Sequence, residues 1–212
     1  GSWPLVFGGS WGAKTFDGKI LAFDLDVTNN DYPFFAGDLT AVATDVGAIE
    51  SEPTPQADPV EEVVAAALPE MSGYKLNLAG LSEGTEGKLV GNAYVGLNSG
   101  VMGLVLDGAN DGARIGALQD YDTSAVLAVE LAFARTSLDT NSQVLVSNNS
   151  RVTVSLFGDS ITVSVGGASS KDASASFSAV DLGITDFATH TLRIIADDIS
   201  DQVQMFIDGT LV

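Results

Sequence analysis

The 212-residue chain contains no cysteine and only 9 lysine and arginine residues. Against these stand 28 aspartate and glutamate residues, so the formal net charge is -19. Without cysteine, the chain forms neither a disulfide framework nor a cysteine-ligated metal site. The shortage of basic residues excludes nucleic-acid binding, because phosphate backbones need neutralisation by Lys and Arg. It also disfavours an anionic membrane surface, and no apolar run in the sequence approaches the ~20 residues of a membrane-spanning helix.

What the chain does have is apolar residues and aspartate. Its hydrophobic fraction is 45%, and its length suffices to build a core in one large domain or two small ones. The acidic residues comprise 20 Asp and 8 Glu. Asp prefers turns and caps and is a good oxygen ligand for Ca²⁺, whereas Glu is the better helix former. The composition therefore predicts many loops and few helices. The aspartate residues either bind calcium or simply form a soluble acidic surface.

Alternation of apolar and polar residues recurs along the chain. It is clear at Ile20–Val27, Leu127–Phe133, Val152–Leu156 and Ile161–Val165. A period of two residues is typical of strands with one face on a core. Gly158-Asp159 and Asp208-Gly209 favour hairpin turns. Many strands at short spacing predict an all-β sandwich or barrel.

Residues 42–73 differ from the rest of the chain. Four of the six prolines fall there, together with the acidic stretch from Glu50 to Pro59. Proline and acid at this density do not fit a central sheet, so we predict a linker. Within it, Val60–Leu68 predicts a short helix with Asp58 as the N-cap and Pro59 at the first helical position. The helix is either a partner-binding amphipathic segment or a tether on the sandwich, and we favour the tether.

Five segments between Tyr74 and Val212 match, in order, the strands of one known family. They are Val101–Gly108, Leu127–Phe133, Arg151–Val165, His190–Ile194 and Val203–Val212. This part of the chain resembles a laminin G-like domain of the concanavalin A-like lectin superfamily. The last segment, with its Asp208-Gly209 turn, matches best, whereas His190–Ile194 lacks the tryptophan of the family's strand. The resemblance implies an all-β antiparallel sandwich of the jelly-roll type.

The order of the strands departs from the family pattern. In the family, closing strands follow the Asp-Gly turn, but here Pro4–Leu21 resembles that closing segment. We therefore predict closing strands in residues 1–41, a linker in 42–73 and the main body of the same sandwich in 74–212. Circular permutation, excision from tandem repeats, or exchange of strands between chains would each explain this order.

Catalytic residues are not evident in the sequence. The hydrolases of this superfamily carry E-x-D-x-x-E on one strand, and no such string occurs. Glu130 is expected to stand alone on its face, without a carboxylate partner for acid–base hydrolysis. His190, the single histidine, would have to serve any Ser-His-Asp triad, but in this segment it is better interpreted as a strand-start residue. We predict a protein that is not an enzyme, and a degenerate glycanase or lyase is the least favoured alternative.

Two aspartate clusters are candidates for a Ca²⁺ site, because calcium takes six to eight oxygen ligands from flexible loops. The first comprises Asp107, Asn110, Asp111, Asp120 and Asp122, and the second Asp197, Asp198 and Asp201. The resemblance implies calcium at the rim of the sandwich, where it helps to bind sugars or receptors. The alternatives are ordinary Asp/Asn/Gly turns for the first cluster and a solvated hairpin tip for the second.

Aromatic residues in loops are candidates for stacking on sugar rings. Trp11, Tyr32 and Tyr121 are the predicted ligand-binding residues, and Tyr94 belongs to the wider set of candidates. The resemblance implies a non-catalytic binding or adhesion module of an extracellular or cell-surface protein that recognises a glycan or a cell-surface protein. The alternative function is a self-assembling structural subunit, of an appendage, filament or virion, that uses strand exchange between chains.

Overall fold

The computed structural model describes residues 5–8, 14–26, 73–98, 100–116, 126–137, 142–148, 152–166, 172–197 and 202–212. Within these residues it has sixteen strands and one short helix, and the strands form two antiparallel sheets packed face to face. The predicted all-β sandwich is confirmed. The predicted linker and its helix fall almost entirely outside the described residues.

Sheet A has eight strands, and seven of them form a continuous path. In spatial order these are β13 (Asp172–Ser178), β12 (Ser160–Gly166), β11 (Val152–Phe157), β10 (Ser142–Asn148), β1 (Leu5–Gly8), β8 (Gly112–Ile115) and β5 (Gly87–Val90). The eighth, β2 (Lys14–Thr15), pairs in parallel with β10.

Sheet B also has eight strands, seven of them on one path. In spatial order these are β16 (Thr210–Leu211), β15 (Gln202–Ile207), β14 (Thr189–Asp197), β9 (Val126–Arg135), β3 (Asp17–Asp26), β7 (Val101–Asp107) and β6 (Tyr94–Asn98). The eighth, β4 (Tyr74–Lys75), extends the row of β7 along β3.

Strands β1 and β3 of the N-terminal segment lie inside the sheets rather than at their edges. β1 pairs with β8 on one side and β10 on the other, and β3 pairs with β9 along nearly its whole length. Phe7 of β1 and Phe23 of β3 meet edge to face across the core, with ring centroids 5.0 Å apart. The segment that resembles the family's closing strands therefore packs on strands of its own chain in this structure.

The core follows the alternation seen in the sequence. Along β9, for example, Leu127, Val129, Leu131 and Phe133 all face the core. Both predicted hairpins are also confirmed. Gly158 and Asp208 have positive φ angles of 54° and 49°, a conformation that Gly adopts freely and Asp tolerates.

One end of the sandwich carries most of the connections between the two sheets, and we call it the crossover rim. There β2 leads to β3, β5 to β6, β7 to β8, β9 to β10 and β13 to β14. The opposite rim includes Ile115 at the end of β8 and Val126 at the start of β9. The crossover rim thus brings together side chains from distant parts of the sequence.

Helix α1 (Leu78–Glu83) closes one lateral side of the sandwich, between the edge strands β5 and β6. It begins at Asn77, whose side chain accepts a hydrogen bond from the Gly80 N–H at 3.0 Å, as N-caps do. It ends at Gly84, whose φ of 76° is the left-handed C-cap conformation. Leu81 points into the core and is 1% exposed. No described helix closes the other lateral side, near β13 and β15.

Candidate functional site

Two polar clusters stand at the crossover rim, and both are built on turns rich in Asp and Gly. The aspartate corner comprises Asp17, Asn92, Asp107, Asp111 and Thr136. The histidine corner comprises Asp186, His190, Thr191 and Asp208.

The loop from β7 to β8 shapes the aspartate corner. Gly108 and Asn110 have positive φ angles of 77° and 61°, so the chain turns sharply between Asp107 and Asp111. A Cβ on Gly108 would lie 3.0 Å from the Cβ of Asp17, which shows how closely the loop packs on β3. Asp17 lies directly opposite Asp107 in the β3–β7 pairing. The fold therefore joins a local acidic loop to a carboxylate 90 residues earlier in the chain.

Asp107 has a partner for each carboxylate oxygen. Its Oδ2 accepts a hydrogen bond from Asn92 Nδ2 at 3.1 Å, and its Oδ1 accepts one from the Ala109 N–H at 2.9 Å. These bonds, the one from Asn92 first, hold the pKa of Asp107 below its ordinary value because they stabilise the ionised form. Asp107 is thus an ionised carboxylate held in a fixed orientation.

Asp111 is the unusual member of the corner. Its Oδ2 accepts a hydrogen bond from the backbone N–H of Asp107, but its Oδ1 is buried without a partner. The residue is 2% exposed. Burial, reinforced by the charge of Asp107, raises its pKa. A buried carboxylate oxygen without a partner is costly, and a bound cation would relieve that cost.

The first predicted calcium cluster is only partly described. The structure brings Asp107 and Asp111 together and leaves Asn110 exposed beside them. Asp120 and Asp122 lie outside the described residues. Within the described ranges, no group of three or more His, Asp or Glu side chains is arranged to hold a metal ion. Asp111 fits a cation site through its unpartnered oxygen, and the other ligands would come from Asp107 and from amide and carbonyl oxygens of the same loop.

The second predicted cluster and the predicted aromatic ligands are described even less. Asp197 ends β14 opposite Gln202 of β15, and Asp198 and Asp201 fall outside the described residues. Trp11, Tyr32 and Tyr121 also fall outside them. Their predicted roles stay predictions.

Tyr94 is an aromatic candidate that the structure does describe. It begins β6 two residues after Asn92, and its side chain is 54% exposed. Its ring covers Gly96, since a Cβ on that glycine would lie 2.8 Å from the ring. Tyr94 therefore presents an exposed aromatic ring on β6 that leans toward Gly96, along the strand and away from Asn92.

Arg135 is a buried cation at the same rim. It continues the inward-facing positions of β9 and is 1% exposed. Its Nη2 donates to the Gly158 carbonyl at 3.2 Å, whereas Nε and Nη1 have no partner. Burial lowers its pKa, although the charge of Asp159 opposes that effect. In the sequence, the burial of Arg135 is indicated only by its position two residues after Phe133, which faces the core on the same strand.

His190 is bonded on both ring nitrogens. Nδ1 lies 2.8 Å from Asp208 Oδ2, and Nε2 lies 2.7 Å from Asp186 Oδ1. Asp208 Oδ1 also accepts the Thr191 N–H at 2.7 Å. Burial disfavours protonation of His190, but the bonds to Asp208 and Asp186 outweigh it and raise the pKa. His190 thus ties the Asp208-Gly209 turn to the start of β14.

The expectation that Glu130 stands alone on its face is wrong. The register of β3 and β9 places Asp24 directly opposite Glu130, and both side chains point to the outer face of sheet B. Arg193 on the other side donates to Glu130 Oε2 from Nε at 2.6 Å, and Lys75 lies 3.8 Å from Asp24. The sequence hid the pair because the two residues lie on strands distant in sequence. In the fold the two carboxylates lie side by side, with Lys75 next to Asp24 at one end of the row and Arg193 next to Glu130 at the other.

No protein-family model, curated protein or solved structure matches this chain. The findings define the class of protein, an all-β sandwich, and the laminin G-like resemblance stays a prediction. Among the described residues, no helix has the length and apolar character needed to span a membrane.

Proposed function

We propose that this protein is a non-catalytic binding module that recognises a glycan or a partner protein at the crossover rim, with Ca²⁺ bound at the aspartate corner. We further propose that it works outside the cell or on its surface. The observation that carries this proposal is the buried Asp111 carboxylate, whose Oδ1 has no partner in an acidic loop.

The residues around Asp111 would supply a cation with hard oxygen ligands. Asp107 is held in place by Asn92 and Ala109, and Asn110 lies exposed on the same turn. Calcium favours such loops of carboxylate, amide and carbonyl oxygens. The ion would neutralise charge where Asp17 and Asp107 stand side by side.

Recognition of a sugar or a protein partner would use the exposed ring of Tyr94 at the start of β6. Tyr94 offers one aromatic face supported by Gly96, and aromatic rings of this kind contribute apolar contact area together with a polar hydroxyl. An ion at Asp111 would add positive charge to the crossover rim, which suits ligand hydroxyl or carboxylate groups.

The absence of catalysis is supported by the partners of the two best candidates. His190 has a carboxylate on each ring nitrogen, so neither nitrogen is open to take a substrate proton. Glu130 Oε2 accepts from Arg193 Nε and lies 2.6 Å from Arg193 Nη2, so this carboxylate oxygen is engaged within the sheet. Both residues therefore have structural contacts that account for their positions.

Thermal melting in Ca²⁺ and in a chelator tests the metal site. We expect Ca²⁺ to raise the Tm of the wild type and to leave Asp111→Asn unchanged, because that substitution removes the charge from the buried ligand. Asp181→Asn is the matched control, since Asp181 is an exposed carboxylate on another loop of the same rim. Calorimetric titration that shows no heat, with no shift in Tm, would refute the calcium site.

Binding to a glycan array, with and without chelator, tests recognition. We expect signals that disappear in chelator and with Asp111→Asn, and that weaken with Tyr94→Ala. Retention of every signal in chelator would refute the role of calcium in recognition. Release of reducing sugar from any bound glycan would refute the non-catalytic assignment.

A further inference from the structure

We propose that His190 is a pH-operated clasp, which holds residues 185–188 to the crossover rim when both ring nitrogens carry a proton and releases them when the ring is neutral. These four residues, which we call the Asp186 loop, connect the buried Ile184 to the start of β14. The clasp acts at the histidine corner alone. It therefore does not depend on the proposed calcium site or on the proposed binding function.

One hydrogen-bonded contact joins the Asp186 loop to the rest of the chain that the structure describes. Asp186 Oδ1 lies 2.7 Å from His190 Nε2, and it also accepts the Ala188 N–H at 3.0 Å, a bond that stays within the loop. The loop begins after Ile184, which is buried in the core, and it ends at Thr189, the first residue of β14. Between these two anchors, the contact with His190 alone holds the loop in place.

The two contacts of the ring require a protonated histidine. Nδ1 lies 2.8 Å from Asp208 Oδ2 and Nε2 lies 2.7 Å from Asp186 Oδ1. An ionised carboxylate only accepts hydrogen bonds, and a neutral imidazole has one N–H where an imidazolium has two. Loss of the proton therefore leaves one nitrogen lone pair facing a carboxylate oxygen. The bond to His190 lowers the pKa of Asp186, so Asp186 does not take up the proton that the ring loses.

The Asp208 contact survives this loss because the turn that carries Asp208 is held in other ways. Asp208 Oδ1 accepts the Thr191 N–H at 2.7 Å, and the Asp208 N–H donates to the Thr191 carbonyl at 2.8 Å. Asp186 has no comparable bond to β14, and water can replace the ring as its partner. The remaining proton therefore stays on Nδ1 of His190, and Nε2 separates from Asp186.

The surroundings of the ring set the pH range of the switch. Burial disfavours the charged ring, but the bonds to Asp208 and Asp186 outweigh it and raise the pKa of His190. A raised pKa means that the clasp is closed below the ordinary histidine value of about 6.5 and opens as the pH rises through the folded-state pKa. On the side of β9, the ring faces Phe133, with centroids 6.3 Å apart.

The other charged groups near the histidine corner are engaged elsewhere or exposed. Arg135 is the inward-facing charge on β9, and its charge interacts with Asp159 on the turn between β11 and β12. Arg193 on β14 points to the outer face of sheet B, where it bonds Glu130. Asp181, on the connection between β13 and β14, is exposed. The charges that raise the pKa of the ring are thus those of its two bonded carboxylates.

Release of the Asp186 loop changes what the crossover rim presents. Phe187, in the middle of the loop, is 61% exposed and would move with it. Nε2 of His190 would lose its carboxylate partner and face solvent. The rim therefore has a closed form at acidic pH and an open form at alkaline pH.

Nitrogen NMR of the ring tests which contact is lost. Because the chain has a single histidine, isotopic labelling of histidine gives one pair of ring signals, and their shifts distinguish a protonated nitrogen from an unprotonated one. We expect both nitrogens to be protonated at about pH 5.5 and only Nδ1 at about pH 9. A neutral ring with its proton on Nε2, or a ring that does not titrate in this range, would overturn the proposal.

Spin labels test whether the loop is released. The chain has no cysteine, so Phe187→Cys carries a single label on the Asp186 loop. Val180→Cys is the matched control, because Val180 is 58% exposed on the same connection but lies before the Ile184 anchor. We expect the label at position 187 to reorient about twofold faster or more once the ring is neutral, on the nanosecond scale of loop motion. An unchanged label there, or an equal change at position 180, would contradict release.

Two substitutions of Asp186, made in the Phe187→Cys protein, identify the cause. Asp186→Asn offers a partner to both forms of the ring, because its carbonyl oxygen accepts from a protonated Nε2 and its amide nitrogen donates to an unprotonated one. The label should then stay slow at both pH values. Asp186→Ala offers no partner to either form, so the label should be fast at both. A pH response that persists in either variant would show that His190 does not operate the loop.

Discussion

The histidine corner and the aspartate corner occupy the same rim and use the same residue types, yet their hydrogen bonding differs. In the histidine corner, both nitrogens of His190 and both carboxylate oxygens of Asp208 have partners. In the aspartate corner, Asp111 is buried to the same degree as an apolar core residue and keeps one oxygen without a partner. Satisfied polar clusters stabilise a fold, whereas an orphaned buried group signals either a ligand or a strain on stability.

The difference matters because the sequence makes the two corners look alike. Each contains an Asp-Gly dipeptide next to a strand, Asp107-Gly108 in one and Asp208-Gly209 in the other. Only the partners distinguish them. Four measurements on variants would sharpen or abolish the distinction.

Removal of the histidine ring should have the largest effect. His190→Ala deletes two charge-assisted hydrogen bonds and the contact with Phe133, and we expect it to lower the free energy of unfolding by about 2–3 kcal/mol. Urea denaturation measures this loss. His190→Asn, which can keep one bond to Asp208, should lose less. An unchanged midpoint would mean that the satisfied corner contributes little.

Replacement of Arg135, which has two guanidinium nitrogens without a partner, should raise the free energy of unfolding, whereas His190→Ala lowers it. Arg135→Met removes a buried guanidinium with two unpartnered nitrogens, and we expect stability to rise by about 1–2 kcal/mol. Arg193→Met is the matched variant, because Arg193 is also buried but is bonded to Glu130, and it should be destabilising. If both variants lose stability equally, orphaned and satisfied groups are not energetically distinct here.

Neutralisation of Asp111, measured in chelator, should change the free energy of unfolding less than either of the two preceding substitutions. The pKa of Asp111 is raised, so the ionised form lowers stability at pH values above its ordinary pKa of about 3.9. Asp111→Asn should therefore raise the free energy of unfolding at pH 7 by about 1 kcal/mol or less, after allowance for solvent screening. The gain should vanish in denaturation below that pKa. A loss of stability at pH 7 would mean that the charge is already compensated.

The pH dependence of the wild type should show the smallest effect. The folded-state pKa of His190 is raised, so its contribution is complete below about pH 6.5 and is lost as pH rises through the folded pKa. The Tm of the wild type should thus fall more than that of His190→Asn between pH 6 and pH 9. Because the chain has a single histidine, identical slopes would show that His190 is not protonated in the folded protein.

The strands were the part of the fold most open to sequence reasoning. Alternation around Leu127–Phe133 and Ile161–Val165 predicted inward faces that the structure confirms, because a strand displays its pattern within a few residues. The Asp107–Asp111 loop was found for the same local reason. Asp17, Asn92 and Arg135 were missed, and so was the pairing of Asp24 with Glu130, since each depends on contacts between residues far apart in the chain.

The sequence by itself determined that this chain folds as an all-β sandwich or barrel, that it turns at Asp-Gly dipeptides and that it carries a strong negative charge. These properties follow from residue types and short-range periodicity. Only the tertiary structure decided which carboxylates have partners. Asp208 meets His190 while Asp111 keeps an oxygen unsatisfied, because hydrogen bonding in a sandwich is set by strand order and register, which join residues that the sequence keeps apart.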